Sequence, residues 1–187
     1  MDFIKTIRME LAPEGRLYPS AEWVEKQQPK VSAVAIILAT IGLQPSVLLT
    51  RRVEYGGVHS GQMSFPGGRL EQHEQPLQAA IRETWEEVGI DLAPHPVISE
   101  LLPLYIPPSN FLVYPFVFQL NHLPELQPNE EVAYSRWIGW NDLVEANIHQ
   151  KEIIENRSVP GFLFENDFVW GATGMLLNEI RKTLFIS

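Results

Sequence analysis

One segment, residues 75–88, constrains the fold more than any other because its pattern predicts a single amphipathic helix. Pro76 stands in its first turn and Gly89 follows its end, the usual start and stop signals of a helix. Apolar or small residues recur along it at helical spacing, so this face should pack against a core. The residues of this face are Leu77, Ala80, Ile81, Thr84 and Val88.

A different face of this helix carries three carboxylates, Glu83, Glu86 and Glu87. Their i, i+3, i+4 spacing brings them within reach of one another, and like charges at that spacing destabilise a helix. Acidic groups near a helix C-terminus also oppose the helix dipole. The face is therefore either a solvated acidic surface or a cation site. Its hard oxygen donors would favour Mg²⁺, Mn²⁺ or Ca²⁺ over zinc or copper.

The rest of the sequence predicts a mixed α/β domain. Residues 31–40 form an apolar run, residues 42–46 supply a turn and residues 47–50 resume the run, which predicts a hairpin. Residues 1–30 are interpreted as a polar, locally helical extension in which Ser20 caps a helix. The other predicted elements are a short strand near 62–65, strands at 98–104, 112–120 and 132–140, a helix through 142–146 capped by Asn141, and a last helix over 172–184.

Composition excludes several classes of site and partner. The 187-residue chain has no cysteine, so it holds no disulfide, thiolate zinc site or cysteine nucleophile. Its formal net charge of −9 disfavours binding to nucleic-acid polymers. The longest apolar stretch, residues 31–41, is much shorter than the roughly 20 residues of a membrane-spanning helix. The N-terminal segment lacks a signal-peptide pattern, so we expect a cytoplasmic protein without membrane contact.

A longer pattern surrounds the three carboxylates. From Gly68 to Ile90 the sequence is GRLEQHEQPLQAAIRETWEEVGI. It resembles the Nudix box, G-x5-E-x7-R-E-U-x-E-E-x-G-U, and only Thr84 stands where an aliphatic residue (U) is usual. The resemblance implies a Nudix hydrolase with an α/β/α sandwich, a mixed β-sheet and the box as loop–helix–loop. The Nudix domain would then span residues 31–187, with residues 1–30 as an extension that packs on it.

The resemblance also implies roles for the residues of the box. The implied ligands of Mg²⁺ or Mn²⁺ are the carbonyl of Gly68 and the carboxylates of Glu83, Glu86 and Glu87. Glu74 and Arg82 resemble the internal ion pair that ties the loop to the helix. The implied reaction is hydrolysis of a pyrophosphate in a nucleoside diphosphate linked to another group. Homodimers are common in the family, and no feature of this sequence specifies one.

The catalytic base is left open by the resemblance. Glu83 and Glu86 are the candidates for deprotonating the attacking water, in that order. Some family members place the base in a late loop, which makes Glu130 or Glu131 an alternative. On sequence grounds, a solvated loop is the favoured explanation of that second pair.

The segment before the box points to a substrate. Residues 48–68 read LLTRRVEYGGVHSGQMSFPGG and resemble the upstream signature of the coenzyme A pyrophosphatase branch, LLTxR[SA]xxLRxHxGQxxFPGG. Coenzyme A or a related compound is then the implied substrate, a small-molecule nucleotide pyrophosphate. The candidate substrate-binding residues are Arg51, Arg52, His59 and Gln62. Successive side chains of a strand alternate between faces, so at most one of the two arginines should line the site.

The signature is incomplete, and alternatives remain. Val53 replaces a small residue, and Gly56–Gly57 replaces a Leu-Arg pair. The missing guanidinium would have suited the 3′-phosphate of coenzyme A. ADP-ribose, NADH, a diadenosine polyphosphate or an oxidised nucleotide are therefore alternative substrates. An alternative of another class is a nucleotide sensor that uses the same fold without hydrolysis.

Overall fold

The computed structural model describes residues 2–16, 18–54, 56, 60–154 and 157–184. The chain divides into two compact units, residues 20–139 and residues 1–19 with 140–187. In chain order the elements are α1 (Asp2–Met9), α2 (Ala21–Lys26), β1 (Lys30–Ile41), β2 (Gln44–Arg52), β3 (Met63–Ser64), β4 (Gly67–Arg69), α3 (Pro76–Val88), β5 (Val97–Glu100), β6 (Leu104–Ile106), a 3₁₀ turn (Pro107–Ser109), β7 (Phe111–Gln119), β8 (Val132–Gly139), α4 (Trp140–Glu145), β9 (Ile148–Ile154), β10 (Arg157–Phe164), β11 (Asp167–Trp170) and α5 (Gly171–Thr183).

Strand β1 lies at the centre of the sheet in the 20–139 unit because its side chains are buried on both faces. Ala33 and residues 35–39 have no exposed surface, a continuous apolar run typical of a strand covered on both sides. β1 pairs in parallel with β7 and antiparallel with β2 and β4. Strands β3 and β8 pair with β2, and β5 and β6 pair with β7. Within the described residues these eight strands form one mixed sheet.

Helix α3 covers one face of this sheet with the residues that its periodicity predicts. Ala80, Thr84 and Val88 are buried, and Leu77 and Ile81 pack against the same cluster in partly buried positions. Their partners from the strands include Ile37, Leu48, Phe116 and Phe118. The Thr84 hydroxyl donates a hydrogen bond to the Ala80 carbonyl at 2.7 Å. This bond satisfies the buried hydroxyl and explains how threonine occupies a position where an aliphatic residue is usual.

Two predicted boundaries in this unit are corrected by the structure. The turn predicted over residues 42–46 has only two residues, because β1 and β2 already pair at Ile41 and Gln44. Gly42 has a φ of 64°, which glycine adopts without strain. The single strand predicted over residues 98–104 is wrong, since β5 and β6 are separate strands with Leu101, Leu102 and Pro103 between them. Proline has no N–H to donate to a sheet.

The other unit contains a sheet that the sequence pattern did not reveal. In the described part of residues 148–170, strands β9, β10 and β11 form an antiparallel three-stranded sheet. Four polar residues in succession, residues 149–152, hide the alternation expected of β9. Helices α4 and α5 lie close to their predicted positions. Asn141, however, is the second residue of α4, so its predicted role as the cap is wrong.

The N-terminal segment contributes to both units. Helix α1 packs against α5, whereas α2 belongs to residues 20–139. The Ser20 hydroxyl accepts a hydrogen bond from the Trp23 N–H at 3.2 Å, which confirms the predicted cap. A domain boundary at residue 30 stays a prediction. No helix in the described ranges is long and apolar enough to cross a membrane.

A buried ion pair joins α1 to α5. Arg8 has no exposed surface, and its Nε lies 2.5 Å from the Glu179 carboxylate. Its Nη1 donates to the Tyr18 hydroxyl at 3.1 Å. On the same helix, Asn178 donates to the Ile7 carbonyl at 2.7 Å. Polar groups buried in this way are tolerated because each has a partner.

Replacing Arg8 with methionine should lower the free energy of unfolding by about 3–5 kcal/mol, because it leaves the buried Glu179 carboxylate without its cation. Denaturant unfolding measures this loss. Lys182→Met is the matched control: it breaks a part-exposed pair with Glu10 between the same segments. Breaking such a pair should cost no more than about 1 kcal/mol. Equal losses in the two variants would contradict the role given to the Arg8–Glu179 pair.

Candidate active site

Helix α3 is held at both ends by signals in its own sequence. At the start, the Gln75 N–H donates to the side chain of Gln78 at 2.9 Å, and Pro76 opens the first turn. At the end, Gly89 adopts a left-handed conformation with φ of 73°, and its N–H donates to the Trp85 carbonyl at 2.9 Å. These caps fix where the helix begins and ends, and therefore where its carboxylates lie.

Arg82 organises three carboxylates on this helix and the loop before it. Its guanidinium makes two hydrogen bonds to Glu74, at 2.8 and 3.0 Å. Its Nη1 also donates to Glu83 at 3.0 Å and to Glu86 at 2.9 Å, and its Nη2 to the Arg69 carbonyl at 3.1 Å. The hydrogen bonds from Arg82 hold the pKa of Glu74 below its ordinary value. The structure thus contains the contact between Glu74 and Arg82 that the box implies.

Two glycines of strand β4 let the carboxylates of α3 reach the backbone. The Gly67 N–H donates to the Glu87 carboxylate at 3.1 Å. A Cβ on Gly68 would occupy the place of the Glu83 carboxyl group. A Cβ on Gly67 would collide with the Ala33 carbonyl of β1, and its φ of 148° is unfavourable for any other residue. Glycine is therefore required at position 67 by the backbone of β1, whereas at position 68 it leaves room for the Glu83 side chain.

Glu87 is the most buried of the three box carboxylates, with 4% of its surface exposed. Its Oε1 lies 3.5 Å from Nη1 of Arg52, whose Nη2 donates to the Glu131 carboxylate at 3.2 Å. Burial raises the pKa of Glu87 to about 7, although the Gly67 N–H and Arg52 favour its ionised form. Burial also raises the pKa of Glu83. A bound cation would favour the ionised forms.

A loop after β7 closes the C-terminal end of α3 and brings Glu131 to the site. The N–H of Gln127 donates to the Val88 carbonyl at 2.8 Å, and that of Asn129 to the Glu87 carbonyl at 3.0 Å. These bonds satisfy carbonyls that a helix end leaves without partners. The Asn129 side chain accepts the Glu131 N–H at 2.9 Å. The Glu131 carbonyl accepts the Val53 N–H at 3.0 Å, which ties the loop to the end of β2.

The other sequence candidates are distributed differently. Arg51 Nη2 lies 3.8 Å from the Glu54 carboxylate, and the pairing of β2 with β8 is irregular between Arg51 and Arg52. The Gln62 carbonyl accepts the Arg52 N–H at 3.1 Å. His59 lies outside the described residues. Sequence reasoning missed the joint contact of Arg52 with Glu87 and Glu131, and only the late-loop alternative for the base hinted at it.

The donor set fits a hard divalent cation. Glu83 and Glu87 supply carboxylate oxygens where α3 meets the Gly67–Gly68 pair, and the missing Cβ of Gly68 leaves the space that the Glu83 carboxyl group fills. Such oxygens suit Mg²⁺ or Mn²⁺. In the described part of the chain, no three acidic or histidine side chains meet as a ready-made metal cage. Arg82 engages Glu83 and Glu86 in this arrangement.

Comparison with known proteins identifies similar chains. A family model described as NUDIX domain matches residues 29–157. The uncharacterized Nudix hydrolase NudL of Yersinia pestis (strain Pestoides F) is 25% identical over 198 residues, covering 99% of this chain and 94% of that protein.

Solved structures resemble the fold at lower identity. The MutT protein from Methanosarcina mazei Go1 has a TM-score of 0.55 at 19% identity, covering 82% of this chain and 92% of its own. A MutT/nudix family protein from Enterococcus faecalis has a TM-score of 0.57 at 14% identity, covering 97% of this chain and 68% of its own.

Alanine at each of the two glycines should have different consequences. Gly68→Ala displaces the end of a flexible side chain, Glu83, so we expect nearly unchanged stability but weakened Mn²⁺ binding. Gly67→Ala meets the fixed Ala33 carbonyl in a strained conformation and should lower the free energy of unfolding by about 1–3 kcal/mol or more. Denaturant unfolding and Mn²⁺ titration followed by electron paramagnetic resonance separate the two effects. Normal Mn²⁺ binding by a destabilised Gly68→Ala protein would contradict this account.

Proposed function

The chain belongs to the NUDIX domain family of hydrolases, and we propose that it hydrolyses the pyrophosphate bond of a nucleoside diphosphate derivative with Mg²⁺ or Mn²⁺. Its mixed sheet flanked by helices is the fold of Nudix hydrolase structures. The observation that carries the proposal is the folded box itself. Glu83 and Glu87 reach the Gly67–Gly68 pair, and Arg82 links Glu83 to Glu86.

Nudix enzymes generally use divalent metal cations, and the resemblance to the box implies four ligands for one in this chain. We assign this role to the Gly68 carbonyl and to Glu83, Glu86 and Glu87. When bound, the cation would neutralise phosphate charge and lower the pKa of the attacking water. The protein contributes position: the Gly67 N–H holds one oxygen of Glu87, and Arg82 sets the carboxyl groups of Glu83 and Glu86.

A carboxylate of the site must accept the proton of the attacking water. The water oxygen bonds to one phosphorus, the bond from that phosphorus to the bridging oxygen breaks, and the other phosphate leaves with the electron pair. Glu83 is the first candidate, as the resemblance to the box implies, and its carboxyl group lies against Gly68. Glu86, half exposed, is the second, and Glu131 is the alternative in the late loop.

Coenzyme A is the substrate that we propose to test first, because residues 48–68 resemble the signature of that branch. Several of the residues that match this signature have structural roles. Leu48, Leu49 and Phe65 are buried, and the glycine pair of β4 accommodates the carboxylates. The candidates left for substrate contact are Arg51, Arg52, His59 and Gln62. The partner that we propose is thus a small molecule, neither a nucleic-acid polymer nor a membrane. We propose that the enzyme is cytoplasmic, and we assign no oligomeric state to it.

A second candidate is the same reaction on a substrate without the 3′-phosphate, such as ADP-ribose, NADH, a diadenosine polyphosphate or an oxidised nucleotide. The observation that favours it is Gly56–Gly57, which removes the arginine of the signature and with it a bidentate partner for that phosphate. A nucleotide sensor without activity is disfavoured because every charged position of the box is present.

A substrate panel with and without EDTA tests the function. With Mg²⁺ or Mn²⁺, coenzyme A should yield adenosine 3′,5′-bisphosphate and 4′-phosphopantetheine, and EDTA should abolish the products. Chromatography separates them. Turnover of another member of the panel in place of coenzyme A would transfer the assignment to the second candidate. Turnover of none would contradict hydrolysis, and turnover unchanged by EDTA would contradict the metal assignment.

Glu87→Gln should lower kcat by roughly 100-fold or more, because an amide is a weak ligand for a hard cation. The matched control is Glu71→Gln, which removes the same charge from an exposed position in the loop before α3. We expect kcat of the control to stay near that of the original protein. Full activity in Glu87→Gln would contradict the ligand assignment.

A further inference from the structure

Arg52 lies between two carboxylates that come from different parts of the chain. Its Nη1 is 3.5 Å from Glu87 Oε1 at the end of α3, and its Nη2 is 3.2 Å from Glu131 Oε2 in the loop before β8. The side chain is 26% exposed. Its Nε is buried, and no acceptor among the described residues lies within hydrogen-bond distance of it.

The backbone holds all three residues in place. The Arg52 N–H donates to the Gln62 carbonyl at 3.1 Å, and the next residue, Val53, donates to the Glu131 carbonyl at 3.0 Å. The Glu87 carbonyl accepts the Asn129 N–H at 3.0 Å. Rearrangement of this cluster is therefore confined to the side-chain ends.

Both oxygens of Glu87 are engaged in this structure. Oε2 accepts the Gly67 N–H at 3.1 Å, and Oε1 faces Arg52. A cation that binds Glu87 must therefore share Oε1 with the guanidinium or replace the guanidinium there. The separation of 3.5 Å is that of an ion pair without a close hydrogen bond, so the guanidinium is held there mainly by charge.

The two arginines of the site have different partners. Arg82 makes short hydrogen bonds to Glu74, Glu83 and Glu86, all within the box. Arg52 is the cation that the structure places next to Glu87, the most buried of the box carboxylates. A buried carboxylate needs a compensating charge, and a divalent cation would supply the same compensation.

We propose that Arg52 is the internal counter-ion of the metal-free site, and that a divalent cation binds by exchanging with its guanidinium at Glu87. Arg52 acts on the metal site through Glu87, so it is a positioning residue. The exchange rests on the proposed function, since it takes Glu87 as a metal ligand. Once displaced, the guanidinium, whose Nε has no acceptor among the described residues, becomes available to an anionic phosphate. The cation therefore binds before the substrate.

Mn²⁺ titration of the purified protein, followed by electron paramagnetic resonance without nucleotide, tests this exchange. Arg52→Gln removes the competing charge, so we expect about tenfold tighter Mn²⁺ binding, or about 1.4 kcal/mol. Arg52→Lys keeps the charge and should bind Mn²⁺ as the original protein does. The matched control is Arg51→Gln, which removes the same charge from the neighbouring residue, whose partner is the exposed Glu54 carboxylate, and should change the affinity by less than about twofold.

Unfolding temperatures in EDTA and in saturating Mn²⁺ provide a second readout. Arg52→Gln should be destabilised in EDTA, because Glu87 loses its cation, and the difference from the original protein should shrink in Mn²⁺. If the variant does not fold in EDTA, Mn²⁺ should restore folding. A variant that stays unfolded in Mn²⁺, or one that binds Mn²⁺ no more tightly than Arg51→Gln does, would overturn the exchange.

The outcomes separate this proposal from the proposed function. Unchanged Mn²⁺ affinity in Arg52→Gln, with metal-dependent hydrolysis by the original protein, overturns the exchange alone. Absence of Mn²⁺ binding by the original protein overturns the metal assignment and the exchange with it. Tighter binding in Arg52→Gln supports the exchange whichever nucleotide proves to be the substrate.

Discussion

The contact between helix α3 and the glycine pair of β4 is the constraint on which the site depends. Strand β4 pairs with β1 at Ala33 and Val34, next to the fully buried residues 35–39. The helix therefore meets the backbone of the core directly, and its carboxylates lie against Gly67 and Gly68 without intervening side chains. A Cβ at Gly67 would collide with the Ala33 backbone, and one at Gly68 would displace the Glu83 carboxyl group, so a substitution at either glycine changes the packing of the core or the position of a carboxylate.

Charge compensation is the second organising principle. Carboxylates crowded at the end of a helix repel one another and oppose its dipole, so they need cations from elsewhere. Arg82 supplies one from within the helix, and Arg52 supplies another from β2. The chain carries a formal net charge of −9, so attraction of a pyrophosphate has to come from local cations rather than from the protein as a whole.

Local periodicity predicted the parts of the structure that depend on near neighbours. The buried face of α3 and the central hairpin follow from spacings of a few residues along the chain, whereas the contact of Glu74 with Arg82 was implied by the resemblance to the Nudix box. The sheet of β9, β10 and β11 did not, because polar residues interrupt its alternation. The contact of Arg52 with Glu131 joins residues 79 positions apart, and no local pattern encodes such a pairing.

That sequence separation has a consequence for how the site assembles during folding. The hydrogen bond from Gly67 to Glu87 closes a loop of 20 residues, whereas the bond from Arg52 to Glu131 closes one of 79. The longer closure costs about 1.2 kcal/mol more chain entropy, from two doublings of loop length. We expect the β4–α3 contact to form first and β8 to dock afterwards. During that interval, Glu87 has its backbone partner before the Arg52–Glu131 pair has formed.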